Sequence, residues 1–150
     1  MPNAIITGAT QGIGKAITEK LLSEGYAIAI CSRNNDTLKA VAAAWNEQYP
    51  TASILIYSSD LSNKEDAGAV VDMVLSNFDT IDLLVNNAGM YLPGTIADEP
   101  DTLLETMIGT NLYSAYHLTR EILPAMKRQK AGHIFNICSI ASLRAYPNGG

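Results

Sequence analysis

Five short, almost unbroken apolar runs recur along this chain, and stretches of helical periodicity separate them. Few folds accommodate that arrangement. The runs are Ala4–Thr7, Tyr26–Ser32, Ala52–Ser58, Ile81–Asn86 and His133–Cys138. A strand without polar alternation is expected where both faces are covered. Between the runs, Gly14–Glu24 sets Ile17, Leu21 and Leu22 on one face, and Asp36–Tyr49 does the same with Leu38, Val41, Ala42 and Trp45. Ser62 with Glu65 reads as a capping box ahead of the stripe Ala67, Val70, Val71 and Val74. Thr102 with Glu105 reads as a second box. It opens a long pattern through Leu103, Met107, Ile108, Leu112, Leu118 and Ile122, which Pro124 is expected to end or kink. Strand–helix alternation implies right-handed βαβ crossovers, hence an α/β fold with a parallel sheet and helices on both faces. Trp45, Leu112 and most of the stripe residues are expected in the core.

A chain of 150 residues is one domain of ordinary size, and no repeat or linker divides it. Its net charge of −5 gives no basis for binding nucleic acid or a membrane surface. No apolar run approaches the roughly 20 residues of a membrane span. The opening MPNAIITG has neither the basic flank nor the cleavage site of a signal peptide. Cys31 and Cys138 are isolated, each inside an apolar run, as buried thiols in a reducing compartment are. Their separation does not suit a zinc site. The expectation is a cytoplasmic protein without nucleic-acid, membrane or metal partners.

The first apolar run leads straight into TGATQGIGK. A triphosphate-binding P-loop needs Gly, four residues, then Gly-Lys-Ser/Thr. Counting back from Gly14-Lys15 puts Ala9 at the first glycine position, and Ala16 replaces the hydroxyl residue that would hold magnesium, so the P-loop reading fails at two of its four fixed positions. A dinucleotide loop fits better. Gly8 can turn out of the strand, Gly12 can bring backbone close to a pyrophosphate, and Gly14 can let the next helix pack closely. The helix N-terminus then offers N–H groups and a positive dipole end. The spacing Gly-x-x-x-Gly-x-Gly has a longer first gap than the usual fingerprint.

About 20 residues further on, an NAD site carries an acid for the ribose 2′-hydroxyl. Here Ser32 holds that place and Arg33 follows. A carboxylate repels a 2′-phosphate, whereas a guanidinium forms paired charge-assisted hydrogen bonds with it. The expected cofactor is NADP (NADPH).

Four more stretches complete a pattern: Asp60-Leu61 after the third run, NNAG at Asn86–Gly89, Asn111 in the long helix, and NICSIAS at Asn136–Ser142. With TGATQGIG, in this order and spacing, the chain resembles the classical short-chain dehydrogenase/reductases along its whole length. TNLYSAYHLTREILPAMKRQKAGHIFNICSIAS is similar to segments of sepiapterin reductases and 3-ketoacyl-carrier-protein reductases. The resemblance implies a Rossmann-type sheet in the order 3-2-1-4-5. It implies a pyrophosphate loop from Thr7, Gly8, Gln11, Gly12, Ile13 and Gly14. Asp60 would accept from the adenine amino group with Leu61 beside the ring, and Asn87, Ala88 and Gly89 would line the cofactor cleft. Asn111 would interrupt its helix so that a backbone carbonyl holds a relay water, and Ser139 would hydrogen-bond the substrate carbonyl. The partner implied is a small carbonyl or alcohol substrate, with a homo-oligomer in the full-length form built on the helix at Thr102–Met126. His117 and His133 have no role in the family, and Ser139 has no neighbouring histidine. A hydrolase triad is not expected.

Carbonyl reduction also needs a proton donor. The family's Tyr-x-x-x-Lys should follow Ser139. Tyr146 is the one tyrosine there, closer than the pattern, with Gly150 at the lysine position, and no catalytic role is assigned to it. The chain is therefore expected to be a dinucleotide-binding domain over residues 1–150, cut short at its C-terminal end, with later strands and a covering helix absent. These residues alone are not expected to turn over. The alternative is a non-catalytic dinucleotide-binding or sensor module.

Overall fold

In a computed structural model, which describes residues 1–144, five parallel strands alternate with helices. The strands are β1 (Asn3–Thr7), β2 (Ala27–Ser32), β3 (Ile54–Ser58), β4 (Leu83–Asn86) and β5 (His133–Asn136). The helices are α1 (Gly12–Ser23), α2 (Asn35–Gln48), α3 (Lys64–Leu75), α4 (Leu103–Ile108) and α5 (Ser114–Gln129). A π-helical turn, Gly109–Tyr113, joins α4 to α5, and a short 3₁₀ turn spans Ile140–Ser142. Tyr146 and Gly150 lie outside the described residues.

The sheet order is β3-β2-β1-β4-β5, as the resemblance implied. The order reverses direction between β1 and β4, which both leave their C-terminal tips at the same edge of the sheet. Side chains of the central strands divide by parity between two cores. Ile5, Ala27, Ala29 and Cys31 join Val70 and Val74 of α3 and Leu118 and Ile122 of α5 on one side. Ala4, Ile6, Ile28 and Ile30 meet Leu22 of α1 and Leu38 and Trp45 of α2 on the other. Burying one such isoleucine is worth about 1.5–3 kcal/mol. The doubly covered centre explains why β1 and β2 carry no polar alternation.

Several local expectations change. The N-cap of α3 is Asn63, whose side chain accepts from the N–H groups of Glu65 and Asp66 (2.9 and 3.2 Å). Ser62 instead donates to Asp60. Thr102 precedes α4 without a side-chain capping bond. Pro124 lies inside α5, which continues to Gln129. Leu112 is 58% exposed and is not core. It sits in the π turn, where the extra residue per turn shifts the phase on which the apolar stripe was counted. Cys31 is buried as expected, but Cys138 is exposed. The apolar run of β5 suggested cover on both faces, whereas the absent covering helix implied an open edge; His133, Phe135 and Asn136 are exposed.

Candidate functional site

A cleft of about 370 Å³ opens at the C-terminal tips of β1, β2, β3 and β4. It lies at the reversal of strand order, where open parallel sheets bind ligands. Its volume falls within the usual range for small-molecule sites.

The glycine loop forms one wall. Gly8 turns out of β1 with φ +63°, and a Cβ there would stand 3.0 Å from the Asn87 amide nitrogen and 3.1 Å from Ala88 Cα. Gly12 also has positive φ, +56°, yet a Cβ there would meet nothing within 4 Å, because it faces open space at the cleft. Gly14 is the packing glycine: a Cβ would collide with the Gly8 carbonyl and the Asn87 side chain. Gln11 and Ile13 line the cleft as well, and Ile13 is 61% exposed. Gln11 is the N-cap of α1 but makes no side-chain capping bond, and the first turn holds no acid. In contrast, asparagine side chains cap α2 and α3. The first N–H groups of α1 therefore keep their capacity for an anion.

Thr7 and Gly14 stand behind the cleft rather than on its surface. The Thr7 hydroxyl accepts the N–H groups of Asn87 (2.9 Å) and Ala88 (2.8 Å) and lies 3.4 Å from the Val85 carbonyl as donor. Asn87 Nδ2 donates to the carbonyls of Thr7 (3.1 Å) and Gly8 (3.0 Å). These bonds lock the tip of β1 to the tip of β4, so the glycine loop and the Asn87–Gly89 segment keep a fixed separation. Asn87, Ala88 and Gly89 all face the cleft.

Ser32, the last residue of β2, and Arg33 after it form the end wall. Asp60 and Leu61 enter from the loop after β3. Asp60 Oδ1 accepts from the Ser62 hydroxyl (2.7 Å) and backbone N–H (3.1 Å). The Ser62 hydroxyl is the main reason the carboxyl stays below its ordinary value of 3.8. Partial burial opposes that shift, while the Ser62 N–H and the Arg33 charge reinforce it. Asp60 is thus an anion at neutral pH, with Leu61, 6% exposed, as the apolar surface beside it.

Asn111 and Ser139 do not line this cleft. Asn111 lies in the π turn that joins α4 to α5. Its side chain accepts from the Met90 N–H (2.7 Å) and donates to the Met90 carbonyl (2.8 Å). Ser139 stands beyond β5, exposed, where its hydroxyl accepts the Ala141 N–H (3.1 Å) at the start of the 3₁₀ turn. His133 is exposed on β5, while His117 is half-buried between Tyr113 and Tyr116.

Sequence reasoning missed Thr10, Ser59, Ser62, Thr110 and Ser114 as cleft residues. Thr110 and Ser114 reach it through the π turn. The Ser114 hydroxyl donates to the Thr110 carbonyl (2.6 Å), and Gly109 lets the turn approach Ser62, whose Cβ lies 3.3 Å from where its own Cβ would be. Among the described residues no group of three or more His, Cys, Asp or Glu is placed to hold a metal, and no helix is long and apolar enough to cross a membrane.

The sequence pattern of the short chain dehydrogenase family matches residues 2–150. Uncharacterized oxidoreductases of Staphylococcus epidermidis and Staphylococcus aureus are each 33% identical over 138 residues, which is 92% of this chain and 58% of theirs. The chain thus spans little more than half the length of these curated relatives. An alcohol dehydrogenase from the archaeon Thermococcus sibiricus, solved in complex with 5-hydroxy-NADP, superposes with a TM-score of 0.92 at 30% identity, covering 99% of this chain and 63% of that one. A structure of ElxO with NADP bound superposes with a TM-score of 0.90 at 30% identity, over 99% and 59% of the two chains.

Proposed function

The chain belongs to the short-chain dehydrogenase family, and from that premise we propose that it binds NADPH in this cleft as part of an oxidoreductase acting on a small carbonyl or alcohol. One observation carries the reading: a glycine loop, an uncapped helix N-terminus, an arginine and a carboxylate from separate strand ends converge on a single cleft at the sheet's reversal point. In line with it, the Thermococcus sibiricus alcohol dehydrogenase structure holds 5-hydroxy-NADP and the ElxO structure holds NADP.

Bound there, NADPH supplies a hydride to a carbonyl carbon, or NADP accepts one from an alcohol. The chain's own residues then divide the work. Backbone N–H groups at Gln11–Ile13 and the positive end of α1 hold the pyrophosphate. The Arg33 guanidinium holds the 2′-phosphate through charge-assisted hydrogen bonds. Anionic Asp60 accepts from the adenine amino group, and Leu61 covers a ring face. Asn87, Ala88 and Gly89 line the passage toward the nicotinamide end. Asn111 acts through Met90: by gripping both backbone groups it fixes the segment after Gly89 against the π turn. The Ser139 hydroxyl donates to the substrate oxygen. The proton for that oxygen needs a further donor, and no tyrosine in residues 1–150 has a lysine four positions later. Turnover is therefore proposed only for a form that includes such a pair.

Fluorescence titration with NADPH and NADH tests the reading. Saturable NADPH binding is expected, and Arg33→Ala should weaken it about tenfold or more, the scale of a lost charge-assisted contact, while affecting NADH far less. Equal losses for the two cofactors would show that Arg33 reads no phosphate.

A further inference from the structure

The loop carrying Arg33 is not held by its own helix alone. Three hydrogen bonds tie it down, and two of them come from the end of β3. Ser58 Oγ donates to the Arg33 carbonyl at 3.2 Å. The Ser59 N–H donates to the Ser32 carbonyl at 3.1 Å, extending the β2–β3 ladder, which pairs Ser32 with Ser58, by one step. The Asn34 N–H lies 3.4 Å from Ser32 Oγ as donor. Ser58 does not line the cleft, so it is not placed to touch a ligand.

We propose that Ser58 is a positioning residue for cofactor choice: its hydroxyl sets the direction of the Arg33 peptide and so aims the guanidinium at the 2′-phosphate. This rests on the reading of Arg33 given above. The physical reason lies in arginine itself. Its long side chain loses rotamer freedom on gripping a phosphate, and a backbone held in one orientation limits how much more must be ordered. A 2′-hydroxyl cofactor makes no demand on Arg33, so it gains nothing from the clamp. The effect should therefore fall on the ratio of the two affinities rather than on either alone.

The experiment is a set of NADPH and NADH titrations on the full chain for wild type, Ser58→Ala, Ser58→Thr, Arg33→Ala and the Ser58→Ala/Arg33→Ala double variant. One exposed neutral hydrogen bond is at the weak end of its class. We expect Ser58→Ala to lower the NADPH-to-NADH affinity ratio about threefold, and Ser58→Thr, which keeps the hydroxyl on a strand-compatible residue, to restore it. In the Arg33→Ala background the same truncation should leave the ratio where it was, since nothing remains to be aimed. A role confined to holding β3 in place would shift both cofactors together and would persist without Arg33. If wild type prefers NADPH but Ser58→Ala leaves the ratio unchanged, or lowers it equally in both backgrounds, the positioning role falls and the reading of Arg33 stands. If wild type shows no preference for NADPH, both fall together.

Discussion

β2 and β5 are both apolar strands in the same parallel sheet, yet they live in different environments. Ala27 through Cys31 of β2 are buried without exception, whereas three of the four residues of β5 are exposed. β2 has a strand on each side and a helical layer over each face. Among the described residues β5 pairs with β4 alone, and of its side chains Ile134 packs against the core on the α3/α5 side. Phe135 is in register with Val85 and so points to the opposite side. Val85 is 2% exposed there and Phe135 is 55% exposed. An apolar sequence states a demand for cover; whether the demand is met depends on elements elsewhere in the chain. The difference also separates the two parts of the site. The proposed cofactor groups sit on the covered strands, and Ser139 follows the exposed one.

Truncation should expose that contrast most strongly. Ile30→Ala removes a fully buried side chain between two layers and should cost about 2–5 kcal/mol in urea unfolding. Phe135→Ala removes a larger side chain that is already half in water, and should cost about 1 kcal/mol or less, because little area is returned to solvent. Losses of similar size would mean that the outer face of β5 is covered in solution.

The glycines of the loop offer a finer comparison within the covered half. Gly14→Ala drives a methyl into the Gly8 carbonyl and Asn87, neither of which can yield without breaking the β1–β4 lock. Overpacking of this kind should cost about 1–3 kcal/mol. Gly12→Ala meets no atom and bears only the strain of its left-handed backbone, about 1 kcal/mol. Urea midpoints for the two variants decide the order. The larger loss at Gly12 would show that backbone conformation, and not close packing, is the tighter constraint on the loop.

Much of the architecture was legible because two periodicities carried it. Unbroken apolar runs marked all five strands, and the stripes of α1, α2 and α3 marked the layers against them. The cleft was legible where motifs and strand ends coincide, as at Gly8, Arg33, Asp60 and Asn87. The failures have physical causes. The π turn adds a residue to a helix without leaving a composition signal, so Leu112 was counted onto a face it does not share, and Thr110 and Ser114 were not seen to reach the cleft. Ser62 and Asn63 are neighbouring cap formers, and only the Ser62–Asp60 bond decides between them. Cys138 was expected to be buried because its run is apolar, although the resemblance already implied that this strand lacks its covering helix; the apolar run was given more weight than the missing layer, and the thiol is exposed.

The cysteines test the same contrast at its smallest scale. Burial pushes the Cys31 thiol from its ordinary 9.0 up to about 12, while Cys138 is exposed. Iodoacetamide on the native chain should modify Cys138 and spare Cys31 until unfolding, since the thiolate is the nucleophile and access limits it. The raised value at Cys31 also has a sign. Below pH 9 the thiol is protonated whether the chain is folded or not, and its contribution to stability is fully present. Above pH 9 the unfolded chain releases the proton and the folded chain does not, so stability falls as pH rises toward 12. One unit above the unfolded value this amounts to about 1 kcal/mol. Tyr57 is raised too, first by burial and then by the charge of Cys31, so it adds to the same slope. Urea unfolding at pH 8 and pH 10 should therefore lose less stability across that interval in Cys31→Ala than in wild type. An unchanged slope in Cys31→Ala would mean that water reaches the thiol, and the centre of the sheet would then be as open as its edge.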